Sequence, residues 1–263
     1  MTKIKIILII FFIDYSLIEA NMSTSVIVPC HYKHVKHLSE LFQAYEKQID
    51  LPNEIVVSIS EANQVEPNII ESLKNTEWLF PVKLLLSNKK MFAGQNRNVA
   101  CQQTTGEIIV CQDADDLPHP QRIKIIKYFF NKFNLNFLLH KFVYNNENEM
   151  KQLRTIDNFD SIKHSFIKTY HEAWIVGYML FGQPAIHRNV FKKIKWPDVP
   201  VGEDNAFDSK VITTFDRCMM IHCPLYIYRF ENSVTPYELY KKQFNPKRSF
   251  IPKQRYKLEI LYS

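Results

Sequence analysis

Short apolar runs rich in Val and Ile recur along the first half of the chain, at residues 25–29, 54–60, 82–86 and 107–111, and stretches with helical spacing separate them. Runs this short, bounded by Pro, Ser or Gly, read as strands buried on both faces. After the first run, Val35, Leu38, Leu41, Phe42 and Tyr45 share one face of a helix expected over 34–48. Pro67 opens a second helix, reaching Leu73. A third follows Gly94 and runs to about 104, with Gly106 where a C-cap glycine belongs. Pro118 and Pro120 start a fourth, continuing to Phe130. This alternation predicts an α/β architecture, a mainly parallel central sheet with helices on both faces. Ligands of such sheets bind beyond the carboxyl ends of the strands, where Pro29, Ser60 and Asp113 stand.

The second half is less regular. Strands are expected at 137–141, 185–187, 219–221 and 225–228, and helices at 189–194 and from Glu203 to about 213. With 46% apolar residues the chain can bury a sizeable core. The reading is a domain over 22–230, an apolar segment over 1–21 and a basic tail over 231–263. Residues 6–13 are unbroken apolar and follow Lys3 and Lys5, too short a run to span a bilayer. A weak signal or anchor, a packed extension and a start at Met22 stay open. The net charge is +6, and residues 241–257 carry seven basic side chains and no acidic one. That segment reads as a solvated tail or as a contact with anionic headgroups. No nucleic-acid-binding motif accompanies it, so nucleic acid is not an expected partner. Five cysteines without CxxC or Cys/His spacing read as buried thiols in a reducing compartment. A cytoplasmic or membrane-peripheral location is favoured, with secretion through residues 1–20 left open.

The chemistry centres on Asp113-Ala-Asp-Asp116, directly after an apolar run. Carboxylates this close repel one another unless a cation sits among them, and their oxygens suit Mg²⁺ or Mn²⁺. An acidic turn after a strand is the plainer alternative. Upstream lie Gly94-Gln-Asn-Arg97-Asn98 and Gly106-Glu107; downstream lie Gly202-Glu203-Asp204 and Tyr228-Arg229. With Val26-Ile-Val-Pro29, this order and spacing resembles family 2 glycosyltransferases of the GT-A (Rossmann-like) fold, over about residues 24–230.

The resemblance implies a metal-dependent inverting transfer from a nucleotide-diphosphate sugar, UDP by default, to a hydroxyl of a glycan, lipid or protein. Asp115 matches the carboxylate that holds Mn²⁺ or Mg²⁺, and Asp113 the one that helps hold metal and nucleotide. Arg97, Pro29 and His31 match positions around the nucleotide. Asp204 matches the general base, preceded by Glu203; an ordinary acidic helix N-terminus is the alternative there. Two departures stand out. The second strand ends Ser58-Ile-Ser60-Glu61-Ala62 rather than in an acidic pair, which leaves Glu61 either as the acid beside the base or as a plain loop residue. Phe230-Glu231-Asn232 follows Tyr228-Arg229 where the family often has a His ligand; Glu231 is the substitute on offer. Two rival readings are a sugar-nucleotide-forming nucleotidyltransferase, disfavoured because Cys30-His-Tyr-Lys-His has no Gly, and a catalytically silent relative that binds sugar nucleotides or glycans. His119, His140, Trp174 and Trp196 read first as structural residues.

Overall fold

The first strand, β1 (Thr24–His31), is buried along nearly its whole length because strands pair with it on both sides in parallel. Its partners are β2 (Glu54–Ser60), with Val26 opposite Ile55, and β4 (Ile108–Cys111), with Val26 opposite Val110. Beyond β2 lies β3 (Val82–Leu86), again parallel. The computed structural model describes residues 22–150, 153–169, 171–172, 183–229 and 254–262. The remaining strands are β5 (Leu117–Pro118), β6 (Phe137–Tyr144), β7 (His164–Ile167), β8 (Ala185–His187), β9 (Cys218–Tyr228) and β10 (Glu259–Tyr262). They complete one sheet in the order β10-β3-β2-β1-β4-β8-β6-β9-β5, with β7 beside β9. The half containing β1 to β4 is parallel; β8 enters antiparallel to both β4 and β6.

Period-two alternation divides the core between two faces. Val26, Val28, Ile55 and Val57 pack with α1 (Leu38–Glu46), α2 (Pro67–Asn75) and α4 (Arg122–Phe133). Ile27, Val56 and Ile109 pack on the other face with α3 (Ala93–Gln102) and the helix Glu203–Thr214. Phe42, fully buried, meets Trp78 edge to face at 5.1 Å; truncation to Ala there costs about 3–5 kcal/mol. No helix among the described residues is long and apolar enough to cross a membrane.

Several local expectations need correction. The helix expected over 34–48 begins as a 3-10 turn, Tyr32–His37, and becomes α-helical only at Leu38. Gly106 is not a C-cap: α3 ends at Gln102, and a Cβ on Gly106 would lie 2.6 Å from the Ser25 amide nitrogen, so it serves close approach to β1. Pro118 belongs to β5 and pairs with Tyr226, and α4 starts only at Arg122. The strands expected at 219–221 and 225–228 are one strand; Pro224 is tolerated where β6 shifts register between His140 and Lys141. The tail is not wholly loose, since Tyr256 bridges to Trp78 and β10 extends the sheet alongside β3. Residues 1–21 and 231–253, with Glu231, and Trp174 fall outside the described residues.

At the amino end of the parallel strands, Glu54 is buried but fully engaged. It accepts from Ser25 Oγ at 2.7 Å, Thr105 Oγ1 at 2.7 Å and Lys83 Nζ at 3.0 Å. Burial alone would raise its pKa; these hydrogen bonds outweigh it and leave the carboxyl below its ordinary range.

Candidate active site

At the opposite end, the carboxyl termini of β1, β2 and β4 open onto a cleft of about 390 Å³. Pro29, His31, Glu61, Arg97, Asp113 and Asp115 all line it, with His34 and Asn96 among their neighbours. Residues far apart in sequence meet there because parallel strands point the same ends the same way. His31 and Glu61 bond each other, Nε2 to Oε2 at 3.0 Å. Glu61 takes up a left-handed backbone (φ 53°), unusual for a non-glycine residue, as the chain turns off β2. Ser58 on β2 donates to Asn96 on α3 at 2.9 Å, tying strand to helix under the cleft.

Arg97 is the buried cation of the cleft, whose lining also includes Lys90. Arg97 is 4% exposed, and its guanidinium donates to Glu203 Oε1 at 2.7 Å and to Asp113 Oδ1 at 3.1 Å. Burial opposes its charge, but Asp113, Cys111 and Glu203 outweigh burial and raise its pKa. Gly94, one turn earlier, permits this approach: a Cβ there would sit 2.5 Å from the Pro197 carbonyl oxygen and 3.2 Å from Glu203 Cγ. Glu203 is therefore held by Arg97, and its carboxylate positions the cation.

The three aspartates after β4 are in different conditions. Burial chiefly lifts Asp113 to about 6; Arg97 pulls it down, while Asp115 and Asp204 push it up. Asp116 is 1% exposed and its oxygens are taken, one by the Arg229 N–H at 2.8 Å and one by the Gln183 amide. Burial, then Asp113 and Asp115, raise its pKa well above the ordinary value. Asp115 faces His34, with Oδ2 3.3 Å from Nδ1. Burial raises Asp115, yet the bond and charge of His34 outweigh it and leave the pKa lowered. Arg229 also binds the Asp115 carbonyl through Nε and Glu40 through Nη1, so this half of the Tyr-Arg motif clamps the acidic loop.

Asp204 begins the helix Glu203–Thr214, where Oδ1 accepts from Asn205 N at 2.7 Å. Burial, with Glu203, raises its pKa, while the Asn205 N–H and Arg97 lower it. One turn on, Asp208 is completely buried, and among the described residues neither of its oxygens has a hydrogen-bond partner.

Sequence reading missed His34, Asn96, Gln183 and Asp208. A signal for His34 existed. His31, His34 and His37 recur every third residue, the spacing a 3-10 turn places in line, and their rings stand 6.4 and 6.2 Å apart. His119 is buried, accepts from Gln121 N and contacts the Arg154 carbonyl, so it organises the start of α4. His140 is a core histidine against Arg122, and Trp196 stacks on Phe207 with centroids 3.8 Å apart. All five cysteines are buried and free.

A parallel sheet whose strand ends carry a cation-held acidic loop, flanked by antiparallel strands, is the GT-A arrangement. Residues 25–195 match the family model described as glycosyl transferase family 2, and the chain belongs to that family. A comparison with curated proteins gives no match. Solved structures are similar in fold. The crystal structure of S. aureus TarS 1–349 aligns with a TM-score of 0.62 at 24% identity, over 79% of this chain and 60% of that one. Its complex with UDP-GlcNAc aligns at 0.62 and 23%, over 84% and 64%. Full TarS aligns at 0.60 and 24%, over 84% of this chain and 38% of that one. The chain thus spans less than two thirds of the length of these TarS structures.

Proposed function

We propose that this chain transfers a glycosyl group from a nucleoside-diphosphate sugar to an acceptor hydroxyl, inverting the anomeric centre, with Mn²⁺ or Mg²⁺ at the diphosphate. The observation that carries the reading is the cleft in which Asp113, Asp115, Arg97, His31 and Glu61 meet; Asp204 does not line it but follows Glu203, which is bonded to Arg97 of the cleft. The family membership and the UDP and UDP-GlcNAc complexes of the TarS neighbours support UDP as the first donor to try.

The residues fit a divalent cation. Asp113 and Asp115 offer hard carboxylate oxygens, and three carboxylates crowded on one turn are destabilised without positive charge. Among the described residues no three His, Cys, Asp or Glu side chains converge as a ready-made ion site, and donor phosphates with water would supply the remaining oxygens. When bound, such an ion neutralises charge on the departing diphosphate.

The chain's own groups do the rest. Arg97, fixed between Glu203 and Asp113, contributes a fixed positive charge at the cleft. His31 and Glu61 form the wall off β1 and β2 against which a base would rest. Asp204, its pKa raised, accepts the proton of the acceptor hydroxyl as its oxygen bonds to the anomeric carbon and the bond from that carbon to the diphosphate oxygen breaks. Attack opposite the leaving group inverts the centre.

The test is release of nucleotide from UDP-, GDP-, CMP- and dTDP-sugars by the full chain, with Mn²⁺ or with chelator, and with glycan, lipid and protein acceptors. Metal-dependent release from one donor is expected. A chain that binds neither nucleotide nor Mn²⁺ would contradict the reading.

A further inference from the structure

The aspartates of the acidic loop are not equivalent as donors to an ion. Asp113 Oδ1 is bonded to Arg97, and both Asp116 oxygens are engaged by Arg229 and Gln183. Asp115 differs: its carboxylate faces an imidazole rather than a guanidinium or an amide, and about a third of each side chain is open to solvent. The 3-10 turn after β1 sets this geometry, bringing His34 round to the end of β4. The Nδ1–Oδ2 separation is 3.3 Å. Donors about 2.1–2.2 Å from one ion and at right angles to each other lie about 3 Å apart. The two groups hydrogen-bond each other here, and a small opening of that pair would admit an ion between them; both line the cleft.

We propose that His34 is a metal ligand, joining its Nδ1 to the Asp115 carboxylate at the ion, and that diphosphate oxygens help complete the site. The inference rests on the metal-dependent reading above. On this reading the ion and the nucleotide bind together. An imidazole ligand also sets the preference, since nitrogen favours Mn²⁺ over Mg²⁺ more than carboxylate oxygen does.

The experiment is electron paramagnetic resonance of Mn²⁺ with the full chain, alone, with UDP, and with inorganic pyrophosphate as a probe that needs no base recognition. Wild type is expected to bind Mn²⁺ at least about tenfold more tightly with either probe, with nitrogen coupling to the bound ion in the pulsed spectrum. His34→Ala is expected to lose that coupling and to weaken Mn²⁺ binding by about tenfold or more, with metal-free UDP affinity and circular dichroism unchanged. His34→Asp is expected to restore binding and shift the preference towards Mg²⁺. Probe-dependent Mn²⁺ binding without nitrogen coupling, or equally tight in His34→Ala, would overturn the assignment of His34 and leave the metal-dependent reading standing. Wild type that binds no Mn²⁺ with either probe would overturn both. Loss of metal-free UDP affinity in His34→Ala would make the residue an anion contact and overturn the proposal.

Discussion

The two ends of the parallel sheet bury acids in opposite states. At the amino end Glu54 is saturated by Ser25, Thr105 and Lys83 and sits below its ordinary pKa. At the carboxyl end Asp113, Asp116, Asp204 and Asp208 sit above theirs, because burial and like charge outweigh the partners available; Asp115, bonded to His34, is the exception and sits below its own. One end holds the fold together; the other stores unfavourable electrostatics, which the proposed cation and donor would relieve. The same backbone supports both because its strands deliver loops at one end and close contacts at the other.

The largest break in this comparison is chemical. Asp204→Asn is expected to lower turnover by about 10²–10⁴-fold with metal-dependent donor binding retained; undiminished turnover would remove Asp204 as the base. Next comes the cation that steadies the carboxyl end. Arg97→Met leaves Glu203 and Asp113 facing each other and is expected to cost about 3–5 kcal/mol in chemical denaturation. A cost near zero would mean that the ion pairs contribute little to stability.

At the amino end, Glu54→Gln is expected to cost about 1–3 kcal/mol with activity per folded molecule unchanged. Its folded pKa is lowered, so its contribution is present above the ordinary carboxylate range and lost as pH falls through the folded value. The gap between wild type and variant should therefore shrink in acid. Asp208 runs the other way and gives the smallest effect. Burial raises its pKa, so wild type loses stability as pH rises from the ordinary carboxylate range towards the folded value. Asp208→Asn should gain melting temperature relative to wild type between pH 4 and pH 8; an equal difference at both would show that Asp208 is not a penalised acid.

Much of this was legible in the chain. Short continuous apolar runs placed β1 to β4; their strand ends pointed to Pro29 and Asp113 meeting, though Ser60 does not line the cleft, and the family resemblance added Arg97 and Asp115. What escaped was non-local or depended on helix type. Nothing near Arg97 in sequence says that Glu203 will hold it, since that pair forms only when Gly94 lets α3 approach the Pro197 loop. His34 meets Asp115 from residues 32–37 wound as a 3-10 turn, where α-helical spacing is expected. The return of β10 to the sheet after a strongly basic stretch, and the passage of β9 through Pro224, depend on partners that local propensity does not register.

The central claim is that the cleft is a nucleotide-sugar donor site organised by Asp115. Calorimetric titration of UDP into the full chain and into Asp115→Asn, each with Mn²⁺ and with chelator, tests it most directly. The account predicts binding to the wild type that tightens about tenfold or more with Mn²⁺, and an Asp115→Asn variant that keeps weak, metal-independent binding. Binding equal in both proteins and indifferent to Mn²⁺, or no binding at all, would contradict it.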